Sequence, residues 1–289
     1  AAPAGVVVAA CTPLTHEAVF RRVVAAAGLN PGYLAFANIR EQCAWVHQTE
    51  PDAALIKALD LVAMAVSRAA ELSPIQPQSF PVIPRALALG GGVAGMSAAL
   101  ALANQGFHTY LIERDRQLGG LARRRFFTLE GPDPQEFLQE LQAAVYLHPN
   151  VEVLTRTEMV RLEGHVGQFR TTVHRRTQEG IQERRLEHGV VVAATGGREF
   201  LPQGRHLYGE DPRVLTQWEL EAKINAWDLD LPDVRRVVMI QCVGSREPEH
   251  PYCSRVCCSQ ALKNALLLKD RYPLIKITVL YRDLRAYGF

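Results

Sequence analysis

The run Gly90-Gly91-Gly92-Val93-Ala94-Gly95 constrains this chain more than any other stretch. Three glycines at positions 90, 92 and 95 are needed where a strand turns directly into a helix: the first permits the tight turn, the second lets backbone approach a pyrophosphate, and the third lets helix and strand pack closely. The context agrees. ALAL before the run reads as a strand, MSAALALANQG after it as a helix, and HTYLIE as the next strand, so a parallel βαβ unit is predicted from Arg85 onward. Glu113, at the end of that second strand, is placed to accept a hydrogen bond from a ribose hydroxyl. The alternative is a glycine-rich turn in a sheet without a cofactor.

Two further glycine stretches sharpen the reading. Leu118-Gly119-Gly120 resembles the second pyrophosphate contact of flavoproteins with two dinucleotide domains, which favours FAD over NAD. Val191-Val192-Ala193-Ala194-Thr195-Gly196-Gly197 resembles the strand and turn by which those flavoproteins return to the flavin domain, and Val190 to Ala194 is expected to be buried on both faces. By the same resemblance, the candidate cofactor contacts are Gly90, Gly92, Val93, Ala94, Gly95, Glu113, Arg114, Gly119, Gly120, Val160, Thr195 and Gly196.

Around this unit the chain divides by composition. Residues 1–73 read as a small α/β domain: a strand at Val6 to Ala10, a helix from Leu14 to Ala27, and a helix from Pro51 to about Leu72. The second helix carries Leu55, Leu59, Val62 and Val66 at helical spacing, which predicts a core-facing stripe with Lys57, Asp60 and Arg68 in solvent. Residues 74–84 hold a proline-rich linker, 85–233 the dinucleotide domain, and 234–289 a second α/β unit. Lys plus Arg total 32 against 30 Asp plus Glu, a balance that calls for neither nucleic acid nor an anionic membrane. The apolar run Ala86 to Ala103 is long enough to be weighed as a membrane span, but its glycines favour the βαβ reading. The opening AAPAGVVVAACTP, without an initiator Met or secretory signal, reads as part of a longer chain, and six cysteines in that setting point to a reducing, cytoplasmic compartment.

Four of those cysteines fall in one stretch: Cys242, Cys253, and the adjacent pair Cys257 and Cys258. Cys242 is expected at the carboxyl end of the strand Val237 to Gln241, where open α/β sheets hold ligands. Cys257 and Cys258 precede the helix Ser259 to Lys269. Thiolates meeting at a strand end and a helix start suit a 4Fe-4S cluster, since soft sulfur selects such clusters and a helix N-terminus offsets negative charge. Zinc, a redox-active dithiol and inert buried thiols are the competing readings. Lys263 is either a cation turned towards flavin or cluster, or a solvated surface lysine. Arg246 and Arg255 either screen the cluster or pair with Glu247 and Glu249, and His16 and His47 read as capping or core residues.

CVGSR, PYCSRVCC, DLRAYG, LGGLARR, CTPLTHE and NIREQCAWVH together resemble the A subunit of heterodisulfide reductase and its bacterial relatives. The resemblance implies a thioredoxin-reductase-like flavoprotein core, FAD, and an iron–sulfur cluster on Cys242, Cys253, Cys257 and Cys258. It implies that Lys263 lies near the reactive edge of the flavin. Cys11 and Cys43 match two cysteines of a further cluster site in the N-terminal domain. The implied function is electron transfer, with electron bifurcation between a low-potential ferredoxin and a disulfide-reducing partner in some members. Implied partners are other heterodisulfide reductase-like subunits, a hydrogenase, formate dehydrogenase or NADH-type donor, and ferredoxin, with a homodimer as the candidate assembly. The alternatives are an NAD(P)H-dependent flavin disulfide reductase, which needs a second glycine fingerprint and a CxxC that this sequence does not carry, and a zinc-stabilised dinucleotide-binding scaffold.

Overall fold

The computed structural model describes residues 5–129, 131–226 and 234–286, and the chain forms two compact units, Ala1–Phe80 and Pro81–Phe289.

In the first unit, β1 (Val6–Ala10) pairs in parallel with β2 (Leu34–Asn38), a strand not anticipated from the sequence. Helices α1 (Pro13–Ala26) and α2 (Pro51–Glu71) pack on this pair. The expected core stripe of α2 is overturned. Ala65 and Ala69 are the residues it buries, whereas Leu55, Leu59 and Val66 are 59%, 62% and 54% exposed. The reason is close approach: a Cβ built on Gly5, just before β1, would lie 3.0 Å from the Ala69 carbonyl oxygen, so only small residues fit on that face. Likewise α1 buries only Val24, and Leu14, Val19 and Val23 are exposed.

The proline-rich segment makes backbone contacts at each end. At its start, the Asn30 side chain donates to the Ile75 carbonyl and accepts from the Ile75 amide, both at 2.8 Å, within the first unit. At its end, within the second unit, the Ile83 amide donates to the Gly167 carbonyl at 2.9 Å.

The second unit is built on a parallel sheet in the order β5-β4-β3-β9, comprising β3 (Arg85–Leu89), β4 (His108–Ile112), β5 (Val151–Leu154) and β9 (Val190–Ala193). One face carries α3 (Val93–Asn104) and α4 (Pro134–Leu147), closing a core of Met96, Ala99, Leu111, Leu138 and Val145. The other face is covered by an antiparallel meander, β6 (Thr157–His165), β7 (Gln168–Thr177) and β8 (Gly180–His188), through Val173 and Leu186 on Leu87 and Ile112. The apolar run weighed as a membrane span is thus β3, the glycine turn and α3. Among the described residues no helix is long and apolar enough to cross a membrane.

Strand β9 departs from expectation. Val190 is 39% exposed and no residue of the strand is buried, because it pairs on one side only, with β3, and ends the sheet.

After β9 come α5 (Gln217–Ala226), β10 (Arg236–Ile240), α6 (Cys257–Arg271) and β11 (Lys276–Leu280), with β10 and β11 parallel. Ile224, Met239, Ala261, Leu268 and Ile275 form their shared core. Helix α5 is not among the expected elements although Thr216 and Glu219 are a capping box: the Glu219 amide donates to the Thr216 hydroxyl and the Thr216 amide to the Glu219 carboxylate, at 3.2 and 2.7 Å. This α/β segment, expected to be separate from residue 234, belongs to the same compact unit as the dinucleotide sheet. The expected boundary at residue 233 lies outside the described residues.

Candidate functional site

The three glycine stretches converge. A Cβ on Gly95 would stand 1.7 Å from the Gly90 carbonyl oxygen, and one on Gly90 (φ +111°) 2.3 Å from the Ala194 carbonyl oxygen, so α3, β3 and the turn after β9 are packed backbone to backbone. The Gly119 amide donates to the Gly91 carbonyl at 2.7 Å and Gly119 bridges Gly92, which brings Leu118-Gly119-Gly120 against the first turn. Beside Gly92 the space is open: a Cβ there would meet nothing within 4 Å. Gly92 caps α3 without a side-chain cap bond, so the amides of the first helical turn, at Val93, Ala94 and Gly95, face an opening suited to an anion.

Glu113 is 8% exposed and holds this turn. Its carboxylate accepts from the Gly91 amide at 2.8 Å and the Asp115 amide at 2.9 Å. Each oxygen keeps a second lone pair for a ribose hydroxyl, so Glu113 can shape the turn and read the sugar together.

Arg114 lines an open cleft of ≈ 400 Å³ with Leu121, Arg124, Gly197, Arg198 and Tyr208. A larger hollow of ≈ 570 Å³ is formed by six consecutive residues of the β7–β8 hairpin, Thr177 to Gln182, and brings no separate elements together. Val160, a predicted contact, sits where the β6 register shifts between Met159 and Arg161 and is 52% exposed. The turn after β9 carries Thr195 and Gly196, both exposed, with Thr195 Cα 3.3 Å from a Cβ built on Gly90.

Cys242 follows β10 as expected, buried, in a left-handed backbone conformation (φ +62°) that a non-glycine residue adopts only when its surroundings hold it there. Arg246 and Arg255 share that conformation at φ +59° and +65°. The two cysteine loops are stitched by Ser245, whose hydroxyl donates to the Tyr252 carbonyl at 2.8 Å and accepts from the Ser254 amide at 3.2 Å. Three of the four sulfurs accept hydrogen bonds. The Arg255 amide donates to Cys253 Sγ at 3.3 Å, the Ser254 hydroxyl to Cys257 Sγ at 3.2 Å, and the Arg285 amide to Cys258 Sγ at 3.4 Å. Burial pushes the Cys258 thiol up, against the Arg285 amide, with Cys257 and Cys242 adding to the rise. In donor chemistry the set fits a thiolate-ligated group, although among the described residues no three ligating side chains converge as they would around a metal ion.

Lys263 is not a surface lysine: it is 4% exposed, and its ammonium is 2.7 Å from Glu221 and donates to the Phe127 carbonyl at 2.9 Å. Glu221, fully buried on α5, also accepts from the Phe126 and Phe127 amides at 2.7 and 3.2 Å and from Gln260. Burial pulls the Lys263 ammonium below its ordinary value, against the pull of Glu221. Burial also opposes ionisation of Glu221, but the bonds from Lys263, Gln260 and the Phe126 amide outweigh it, and the carboxyl sits below its usual range.

Two contacts that no spacing signalled join the glycine side to the cysteine side. A Cβ on Gly244 would lie 2.3 Å from the Phe200 ring, and Arg205 spans from that ring to Glu247 at 2.6 Å. Glu247 therefore pairs with Arg205, and Arg246 with Asp283, where a pairing of Arg246 with Glu247 was foreseen.

In the first unit Cys11 follows β1 and Cys43 lies in a π-type turn, Arg40–Ala44, that follows β2, so both stand at the carboxyl end of the strand pair. Arg40 donates to Cys11 Sγ at 3.3 Å, Cys43 is buried, and His47 pairs with Glu50 at 3.1 Å.

Residues 85–239 match the model of the pyridine nucleotide-disulphide oxidoreductase family. The chain is 32% identical to the A subunit of the H(2):CoB-CoM heterodisulfide,ferredoxin reductase of Methanothermobacter thermautotrophicus over 369 residues, covering 98% of this chain and 56% of that protein. It is 33% identical, at the same coverage, to the second iron-sulfur A subunit of the CoB--CoM heterodisulfide reductase of Methanopyrus kandleri. The chain thus spans little more than half the length of these relatives, and the matched span of 369 residues exceeds its own 289, so the relatives carry internal segments that it does not. Among solved structures, L-proline dehydrogenase from P.horikoshii overlays 75% of this chain and 39% of its own at a TM-score of 0.41 and 18% identity. The glycine turns and the family match agree: this chain belongs to the pyridine nucleotide-disulphide oxidoreductase family and is similar over nearly all its length to the A subunits of heterodisulfide reductases.

Proposed function

We propose that this chain is the FAD- and iron–sulfur-carrying electron-transfer part of a heterodisulfide reductase-like oxidoreductase. The observation that supports it best is the packing of Gly244 on Phe200, because it joins the loop leaving the Thr195-Gly196 turn to the loop carrying Cys242 within one compact unit. Gly90, Gly92, Gly95, Gly119 and Gly120 admit the FAD pyrophosphate, the α3 amides of Val93, Ala94 and Gly95 neutralise it, Glu113 binds the ribose, and Arg114, Val160, Thr195 and Gly196 border the remainder of the cofactor. Cys242, Cys253, Cys257 and Cys258 hold a 4Fe-4S cluster. When bound, the flavin would supply an exchange between two-electron and one-electron chemistry, and the cluster would supply one-electron chemistry. The chain's own residues fix the separation of the two groups and the polarity around each. Lys263, neutralised by Glu221 and tied to Phe127, anchors α6 against the segment leaving the second glycine turn.

The protein draws electrons from a hydrogenase, formate dehydrogenase or NADH-type donor and passes them, with or without bifurcation to ferredoxin, towards a disulfide-reducing partner. In this reading it acts in the cytoplasm, and Cys11 and Cys43 belong to a second cluster site. The name of the Methanothermobacter relative, which joins heterodisulfide and ferredoxin, supports this assignment.

The test is anaerobic purification followed by a visible spectrum and flavin, iron and sulfide analysis. Flavin bands on a broad iron–sulfur shoulder, with iron lost from Cys257→Ser and Cys258→Ser, are expected. Flavin alone would move the assignment to an NAD(P)H-dependent flavin disulfide reductase. A colourless, zinc-containing protein would leave only the dinucleotide scaffold.

A further inference from the structure

The segment after β11 meets both cysteine loops, the first through the Asp283 carboxylate and the second through the Arg285 main-chain amide. Asp283 takes the Arg246 guanidinium on Oδ1 and Arg285 Nε on Oδ2, the latter at 2.6 Å, and the Arg282 guanidinium donates to the Arg246 carbonyl. Arg246 lies four residues after Cys242 and is held in the left-handed region. At the same place the Arg285 main-chain amide donates to Cys258 Sγ at 3.4 Å. The other two sulfur contacts are local: Arg255 is two residues from Cys253 and Ser254 three from Cys257, so the second loop supplies both of these donors itself. The Cys258 donor arrives from 27 residues away, and the clamp that orients its segment is Asp283.

We propose that Asp283 is a positioning residue for the iron–sulfur cluster: by clamping Arg246 and Arg285 it keeps the Arg285 amide on Cys258 Sγ and thereby raises the reduction potential of the cluster. The proposal rests on the assignment of the four cysteines as ligands. Reduction adds negative charge that is shared with the ligating sulfurs, so an N–H donor stabilises the reduced cluster more than the oxidised one. Two effects of removing Asp283 therefore oppose each other in sign. Loss of a nearby negative charge by itself moves the potential up, whereas release of the amide from sulfur moves it down.

This opposition makes the test decisive. The midpoint potential is read by redox titration followed by electron paramagnetic resonance on anaerobically purified protein, with iron per chain measured in parallel. Asp283→Ala is expected below wild type at unchanged iron content. Arg285→Pro and Arg285→Gln both lose the guanidinium, but only the proline variant loses the amide hydrogen, so Arg285→Pro is expected below Arg285→Gln. An Asp283→Ala potential at or above wild type, or equal potentials in the two Arg285 variants, overturns the proposal. Loss of iron from both Asp283→Ala and Arg285→Pro also counts against it, since the clamp would then serve retention rather than potential. Wild-type protein without iron removes the ligand assignment first and the proposal with it, a failure visible before any variant is made.

Discussion

Replacing Lys263 by Met tests whether the α5–α6 seam rests on a desolvated ion pair. Glu221 is fully buried and the Lys263 side chain is 5% exposed, with 2.7 Å between their charged atoms, so deleting the ammonium leaves a carboxylate with almost no access to water. Breaking such a pair costs about 3–5 kcal/mol. Glu221 keeps the amides of Phe126 and Phe127, Gln260, and Arg125 at 3.7 Å, which places the loss near the lower end of that range. The Phe127 carbonyl also loses its donor, at a cost of about 1 kcal/mol. The expected total is roughly 3–4 kcal/mol. With a urea slope of about 2 kcal/mol per molar, the midpoint falls by about 1.5–2 M. The assay is urea unfolding followed by far-ultraviolet circular dichroism under anaerobic conditions. Adding Glu221→Gln to Lys263→Met removes the stranded charge and is expected to recover about half of the loss. The pH dependence has a fixed sign: without Lys263 the Glu221 carboxyl rises towards protonation, so the penalty is greatest at neutral pH and shrinks as pH falls. A Lys263→Met variant within about 1 kcal/mol of wild type at pH 7 would refute the reasoning.

Gly95→Ala is expected to abolish flavin binding, measured as flavin retained per chain after desalting, because its Cβ would lie 1.7 Å from the Gly90 carbonyl oxygen and no rotamer relieves a backbone contact; full retention would show that the turn is not the cofactor cradle. His188 is fully buried, shares a hydrogen bond with the Thr171 hydroxyl at 2.8 Å and donates to the Val190 carbonyl at 3.0 Å, and burial holds its imidazole below the ordinary value of 6.5. The unfolded chain then binds the extra proton first, so stability is expected to fall as pH drops below about 6.5. A His188→Gln variant should lose that slope in thermal melts between about pH 7.5 and 5.5; an unchanged slope would assign it to other groups.

The parts of this molecule that are legible from its sequence are those governed by local rules. The βαβ unit, the glycine turns, the position of Cys242 at a strand end and the helix that begins with Cys257 follow from periodicity and backbone sterics. What is not legible depends on partners distant along the chain. The Leu55, Leu59 and Val66 stripe looks like a core face, but which face of α2 turns inward is decided by how closely Gly5 approaches Ala69. The run at Val190 to Ala193 looks doubly buried because a short apolar strand reads the same at a sheet's centre and at its edge. Lys263 reads as a free charge because nothing in its neighbourhood along the chain reveals that Glu221, on another helix, is waiting for it. The capping box at Thr216 and Glu219 is a local signal all the same, and it marks the start of the helix that carries Glu221.

Gly95 shows how unevenly a sequence stores its constraints. The atom that would collide with the Gly90 carbonyl is the Cβ, which every other amino acid possesses, so the position accepts one letter of the alphabet and rejects all the rest on the same ground. A core site such as Leu111 or Val145 stores its requirement as a volume, and several side chains meet a volume. The carboxylate of Asp283 stores its own as a meeting with Arg246, 37 residues back along the chain, that neighbourhood alone does not announce. A turn of the first kind can be read at sight from a single chain; a clamp of the third kind is written only in three dimensions.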